Sequence, residues 1–156
     1  MRDAIPGDMQ AMMEIARNSP TAAHWSEPDY RRIFAPGGMR REALIAEQAA
    51  RVAGFIVIAA ATDEWEIENV VVAPEWRRQG VGLELLRALL SRAVQQHASA
   101  IVLEVRGTNL AARALYESAG FAEVGRRPAY YKDPPEDAVM YRIELPANPI
   151  DAVPFL

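Results

Sequence analysis

The chain has no cysteine and only two histidines, His24 and His97, among its 156 residues. The first absence excludes a disulfide framework, a cysteine-ligated zinc site and a cysteine nucleophile. The second makes a histidine metal site, or a paired histidine acid and base, depend on two residues meeting from distant parts of the chain, so no metal is expected. Long apolar runs are missing too. The longest, residues 52–61 with Gly54 inside it, falls far short of the roughly 20 residues a membrane-spanning helix needs. The first residues, Met1-Arg2-Asp3-Ala4-Ile5-Pro6-Gly7-Asp8, are polar and broken by Pro and Gly, so no secretory apolar segment is expected. With zero cysteine, these features predict a cytoplasmic protein that does not engage a membrane. Basic charge is not in excess. Lys and Arg number 17 against 21 Asp and Glu, a net charge of −4, which argues against direct nucleic-acid binding and leaves room for a basic partner.

The periodicity that is present divides the chain into alternating elements. Asp8 stands before an apolar stripe of helical spacing, Met9, Met12, Met13, Ile15 and Ala16, so a helix capped by Asp8 is expected to end near Ser19-Pro20. Ser26-Glu27-Pro28-Asp29 combines a Ser cap, an early Pro and an acid three residues on, which predicts a short second helix to about Phe34. Residues 43–46, 52–61 and 67–72 are short Val- and Ile-rich runs suited to an antiparallel meander that Pro74 ends. Residues 80–97 carry the broad apolar stripe of the longest helix, 101–105 read as a strand, and Asn109 caps a helix closed by Gly120. Residues 121–127 and 138–145 read as the last two strands. Met1 to Pro6 is short for a full first strand.

The segment Val70-Val71-Val72-Ala73-Pro74-Glu75-Trp76-Arg77-Arg78-Gln79-Gly80-Val81-Gly82 ends a strand and opens the long helix through two arginines and two glycines. Glycine lets the backbone pass close to a ligand, and the free amides and dipole of a first helical turn attract an anion, so phosphate is the expected ligand. The other reading is a plain strand-to-helix turn with solvated arginines. A Gly-x-x-x-x-Gly-Lys loop is absent, and a dinucleotide fingerprint would need glycine at Leu85 and a place after the first strand. The loop resembles the pyrophosphate loop of the Gcn5-related N-acetyltransferases, Arg or Gln-x-x-Gly-x-Gly or Ala, with Arg77, Gly80 and Gly82 in its places.

Leu103-Glu104-Val105-Arg106 and Asn109-Leu110-Ala111-Ala112-Arg113-Ala114-Leu115-Tyr116-Glu117-Ser118-Ala119-Gly120-Phe121 extend that resemblance, most closely to the bacterial ribosomal-protein-alanine N-acetyltransferases. Trp25-Ser26-Glu27, Arg126-Arg127 and Tyr130-Tyr131 resemble the same branch, and the likeness covers most of residues 25–145. It implies an α/β fold, a mixed and mostly antiparallel sheet of six or seven strands with helices on both faces. One domain is expected over residues 1–145, with a tail over 146–156. Coenzyme A is expected between the strand ending at Val72 and the strand starting near Ile101. The resemblance implies Glu104 as general base and Tyr116 as general acid. It implies Asn109 and the loop of Arg77, Arg78, Gln79, Gly80, Val81 and Gly82 as coenzyme A contacts, and Val70, Val71 and Val72 as the strand whose backbone pairs with the pantetheine arm. Tyr130 and Tyr131, expected in a loop between the last two strands, would hold the acceptor's first residues.

Read without the resemblance, Glu104 is the solvent face of a strand, Tyr116 a half-buried aromatic, Asn109 a cap, and Tyr130 and Tyr131 interfacial packing. Lys132 stands where the branch usually has Pro. His97 ends a helix, where the dipole favours it; His24 has no role, and Trp65 and Trp76 read as packing or rim residues.

The implied reaction is direct transfer of acetyl from acetyl-CoA to the N-terminal α-amine of a protein, with a ribosomal protein beginning in Ala as the leading acceptor. The alternatives are a small-molecule amine or lysine acceptor, and a non-catalytic acyl-CoA-binding module on the same fold. An α-amine of pKa about 7.7–8.0 is partly neutral at cell pH, so a modest base suffices. A lysine amine at about 10.4 needs roughly 3–4 kcal/mol more for deprotonation. The leaving thiol ionises near about 8.5, and a tyrosine near about 10 stays protonated to donate to it. With no cysteine, a cysteinyl acyl-enzyme is excluded, and attack within a ternary complex is the simplest route.

Overall fold

A computed structural model describes residues 1–147; the part of the expected tail from residue 148 onward lies outside the described residues. The elements in chain order are β1 (Arg2–Asp3), α1 (Met9–Arg17), α2 (Glu27–Ile33), β2 (Arg41–Gln48), β3 (Arg51–Ala60), β4 (Glu64–Val72), α3 (Val81–Gln95), β5 (Ala100–Arg106), α4 (Leu110–Ser118), β6 (Ala122–Lys132) and β7 (Pro135–Glu144). They form one seven-stranded sheet in the order β1-β2-β3-β4-β5-β7-β6. Only β4 and β5 run parallel, because α3 crosses back between them; every other neighbouring pair is antiparallel. The α/β fold with helices on both faces is therefore as the sequence implied, and the first strand is cut to two residues.

Each face has its own core. The apolar stripe of α3, including Leu85, Leu86, Leu89 and Leu90, is fully buried against Leu44, Ile56, Ile58, Trp65 and Ile101, with Tyr116 and Phe121 from the α4 region completing the cluster. Full burial of each such leucine contributes about 1.5–3 kcal/mol, which fixes α3 across the sheet. On the opposite face Met12, Tyr30 and Ile33 from α1 and α2 cover Ala43, Ile45, Phe55, Val57 and Val71. That cover stops at β4. Among the described residues, no helix covers the opposite face of β5 to β7.

A bulge in β4 opens the sheet. Val57 pairs with Asn69 and Ile58 with Ile67, so Glu68 is the extra residue. A bulge bends its strand and reverses the side-chain alternation beyond it. Trp65 and Ile67 accordingly lie in the α3 core, whereas past the bulge Val70 and Val72 take that face and Val71 turns to the α1–α2 core. Pairing of β4 with β5 runs from Glu64↔Ala100 to Ile67↔Leu103 and stops there. The C-terminal half of β4 and the end of β5 are left splayed apart.

One local expectation changes. Asp8 does not cap α1 with its side chain. A 3-10 turn, Pro6–Asp8, precedes the helix, and the Asp8 carboxylate accepts from Ile5 N–H at 2.8 Å and from the Arg2 guanidinium at 2.8 and 2.9 Å. Those bonds hold the Asp8 carboxyl below its usual range, the Arg2 hydrogen bonds being the main cause. A depressed carboxyl contributes stability above its unfolded pKa, about 3.9, that is lost as pH falls through the folded value. Asp8→Asn should cost about 1–2 kcal/mol near neutral pH, and urea unfolding should show the difference from wild type shrinking below about pH 4.

Candidate active site

The splay between β4 and β5 forms a cleft of about 1130 Å³ that passes from one face of the sheet to the other. On the α3 face, its rim is the loop that follows the 3-10 turn Pro74–Trp76. Arg78 and Gly80 have φ of 59° and 86°, the left-handed conformation that brings the chain round to the first turn of α3. Among the described residues, none of the amides of residues 78–82 donates to a protein group. A run of free amides at the start of a 15-residue helix is the donor set a pyrophosphate needs, so the residues present fit coenzyme A.

The strand beside this loop offers its backbone in a set pattern. Ala73 N–H bonds the Ala53 carbonyl in β3 at 2.8 Å. Alternation then turns the polar groups of Val71 to β3 and those of Val70 and Val72 into the splay. Arg77 Nε takes the Val72 carbonyl at 3.0 Å and Arg77 Nη2 the Ser19 hydroxyl at 2.8 Å, so Arg77 ties the loop to β4 and α1. Val70, Val72, Arg77, Arg78, Gly80, Val81 and Gly82 line the cleft. Val71 and Gln79 do not: Val71 is buried in the α1–α2 core because the bulge shifts its parity, and Gln79 turns away to donate to the Glu75 carbonyl at 2.9 Å. A Cβ on Gly82 would meet Leu115 Cδ2 at 3.0 Å, so this glycine makes room for α4.

Asn109 caps α4 by accepting from Ala112 N–H at 3.2 Å, and it lines the cleft. Arg113 bonds the Gly107 carbonyl at 3.1 Å and the Tyr141 hydroxyl at 3.1 Å, and Tyr141 donates to Glu117 at 2.6 Å, which fixes α4 on β7. This orients Tyr116, whose ring packs edge-on against Phe121 with centroids 5.9 Å apart. Tyr116 is buried yet reaches the cleft, and burial, with a smaller contribution from Tyr131, pushes its phenol well above the usual range.

Glu104 points to the other face, since Leu103 and Val105 occupy the α3 core. Its carboxylate is 20% exposed and ion-paired to Arg127 Nε at 2.8 Å. Tyr130 and Tyr131 sit beside it, their rings edge-to-face with centroids 5.2 Å apart. Both belong to β6, not to a loop, because β6 runs on to Lys132. Glu104 raises the Tyr130 phenol through hydrogen bonding and charge, and burial raises that of Tyr131.

Several cleft residues escaped the sequence reading. Residues 20–25, between α1 and α2, form part of the wall. Glu68 is held in a two-point ion pair by Arg41, at 2.7 and 2.8 Å. Glu66 faces the cleft; partial desolvation, then the charges of Glu68 and Glu104, push its carboxyl up. Asn69 is buried, and both of its side-chain polar atoms are unpartnered among the described residues. The one sequence trace of this arrangement is Glu68-Asn69, two consecutive polar residues that break the period-two pattern of β4.

Comparison with known proteins now bears on the site. The model of the acetyltransferase (GNAT) family matches residues 9–121. The chain belongs to the GNAT acetyltransferase family. It is an N-acetyltransferase, and GNAT acetyltransferases use acetyl-CoA. A ribosomal protein bS18-alanine N-acetyltransferase of Salmonella typhimurium is 33% identical over 140 residues, 88% of this chain and 92% of that protein. The Escherichia coli protein of the same name is 37% identical over 100 residues, 63% of this chain and 68% of its own length. The crystal structure of the ribosomal-protein-S18-alanine N-acetyltransferase from Escherichia coli superposes with a TM-score of 0.80 at 32% identity, covering 94% of this chain and 92% of that one. Among the described residues, no helix of this GNAT protein is long and apolar enough to cross a membrane, and no three His, Asp or Glu side chains are grouped to hold a metal ion.

Proposed function

We propose that this GNAT protein transfers acetyl from acetyl-CoA directly to the N-terminal α-amine of a protein, with a ribosomal protein beginning in Ala as the leading acceptor. The observation that carries the reading is the two-sided cleft: an anion-binding loop opens on one face of the sheet and a carboxylate with two tyrosines on the other. Two substrates can then meet in the splay without sharing an entrance. The names of the Salmonella and Escherichia coli relatives support the ribosomal acceptor.

In this reading the free amides of residues 78–82 and Asn109 bind coenzyme A, and the cleft-facing backbone of Val70 and Val72 aligns the pantetheine arm. Glu104 accepts the proton the amine must lose. The amide of Val72 steadies negative charge on the thioester oxygen as it develops. Tyr116, kept protonated by burial, donates to the departing sulfur. Coenzyme A supplies the activated acyl group; positioning and both proton transfers are the work of the chain. Tyr130 and Tyr131 hold the first residues of the acceptor.

A peptide panel tests the acceptor. Incubation with acetyl-CoA should give product on peptides beginning Ala-Arg, and none on the same peptides with a blocked N-terminus and an internal Lys, or on free polyamines. Product on the blocked peptides would move the assignment to lysine side chains.

A further inference from the structure

The ion pair on Glu104 stands at the place the acceptor's amine must occupy. Arg127 Nε is 2.8 Å from Glu104 Oε1, and its guanidinium carbon lies 5.5 Å from the centre of the Tyr130 ring. The guanidinium is therefore seated on the two groups assigned to the acceptor end of the cleft. Arg127 is 53% exposed, and an ion pair this open is worth about 0–1 kcal/mol, so the acceptor's own cation can displace it. The strand also breaks at this residue. The β6–β7 register passes from Arg127↔Ala138 to Tyr131↔Glu136, and Ala129 in between has φ of 49° with its N–H on Asp137 Oδ1 at 2.9 Å.

A second acid is within the charge field of the same arginine. Glu66 lies on the same face of the sheet as Glu104, since it pairs with Val102 in the β4–β5 ladder, one side-chain step before Glu104, and its carboxyl feels the charges of Glu68, Glu104, Arg127 and Arg41. Glu68 is taken by Arg41 and Glu64 by Arg142. Of the three glutamates that line the cleft, Glu66, Glu68 and Glu104, Glu66 is the one with no ion pair among the described residues.

We propose that Arg127 is a latch: it covers the Glu104 carboxylate while no acceptor is present, yields it to the acceptor's ammonium, and then takes Glu66 as its second seat. This rests on Glu104 being the base. Its use is to protect the thioester. A bare carboxylate beside bound acetyl-CoA would also activate water: the water oxygen bonds the acetyl carbon, the carbon–sulfur bond breaks, and the proton taken by Glu104 ends on the sulfur. Acetic acid, which gives its remaining proton to solvent and leaves as acetate, and free coenzyme A thiol are released. With Arg127 on Glu104, the base is exposed only when an amine has arrived to use it. Arg127 is in this sense a positioning residue.

The measurement is thiol release from acetyl-CoA without acceptor, together with KM and kcat for an Ala-Arg peptide. Arg127→Ala should raise acceptor-free hydrolysis about tenfold, below the roughly 10² to 10⁴ that a fully positioned base contributes, because water is not held as the amine would be. It should also lower the acceptor KM, and Arg127→Lys should restore the low hydrolysis. Glu66→Gln should raise the acceptor KM in the wild-type background and have no such effect beside Arg127→Ala, since the two residues act as one unit. Unchanged hydrolysis in Arg127→Ala would overturn the latch and leave the base assignment standing. Additive effects of the two substitutions on KM would overturn the second seat. Hydrolysis that stays raised when Glu104→Gln is combined with Arg127→Ala would overturn Glu104 as the base, and the latch with it.

Discussion

Glu104→Gln should lower kcat for the Ala-Arg peptide by about 10² to 10⁴, the range a positioned general base contributes, while acetyl-CoA affinity measured by calorimetry stays near that of wild type. Gln keeps the volume and polarity of the side chain but takes no proton from the amine. The coenzyme side is spared because its donors, the amides of residues 78–82, lie on the other face of the sheet from Glu104. Tyr116→Phe should have a smaller effect, about tenfold, because a thiolate of pKa about 8.5 leaves without full protonation. Since burial holds the Tyr116 phenol above its ordinary value, the group is protonated at every pH below about 10, and the wild-type kcat should show no alkaline fall-off before that point. Full activity in both variants would remove the acid–base assignment.

Gly54→Val should lower stability by about 3 kcal/mol, the upper end of what overpacking costs, and weaken acetyl-CoA binding as well. A Cβ at this position would stand 2.8 Å from the Val71 carbonyl oxygen and 3.3 Å from both Leu85 Cδ1 and Val81 Cγ1. Valine suits a strand better than glycine by up to about 1 kcal/mol, which offsets only part of the cost. The clash prevails because its nearest partner is backbone in the β3–β4 ladder, which has no rotamer to change. Relief must come from moving β4 or the first turn of α3, and those two elements carry the cleft-facing groups of Val70 and Val72 and the free amides. Thermal unfolding and calorimetry on the variant check both parts. A wild-type Tm would show that the approach of β4 to Gly54 is looser than described.

Gly54 also marks where the sequence stops being informative. Within the run 52–61 it reads as one tolerated glycine, although an isolated glycine in a strand signals that another backbone comes close. The β2–β3 hairpin is similar: it turns at Ala49 and Ala50 with φ of 47° and 58°, and alanine carries no sign of that conformation. The resemblance groups Val71 with Val70 and Val72 as one strand segment, and a bulge three residues earlier, at Glu68, decides otherwise for Val71. Arg127 stands out in the sequence only as half of the Arg126-Arg127 resemblance, and its partner Glu104 shows only once β5, β6 and β7 are aligned. The net charge of −4 leaves room for a basic partner; the carboxylates of Glu66 and Glu104 give part of that charge a place on one face of the cleft.

Glu104 and Tyr116 stood out only through the family resemblance; the sequence by itself determined the order of helices and strands from α1 onward, the glycine turn into α3 and the capped helix from Asn109. Each of these depends on neighbours within a few residues: a period of apolar side chains, a cap, a glycine at positive φ. Only the tertiary structure decided that β4 parts from β5 beyond Ile67 and Leu103, that Val70 and Val72 face the gap while Val71 does not, and that Arg127 closes on Glu104. Those features are set by register and by contacts between residues far apart in the chain, where a shift of one position reverses which face a side chain meets.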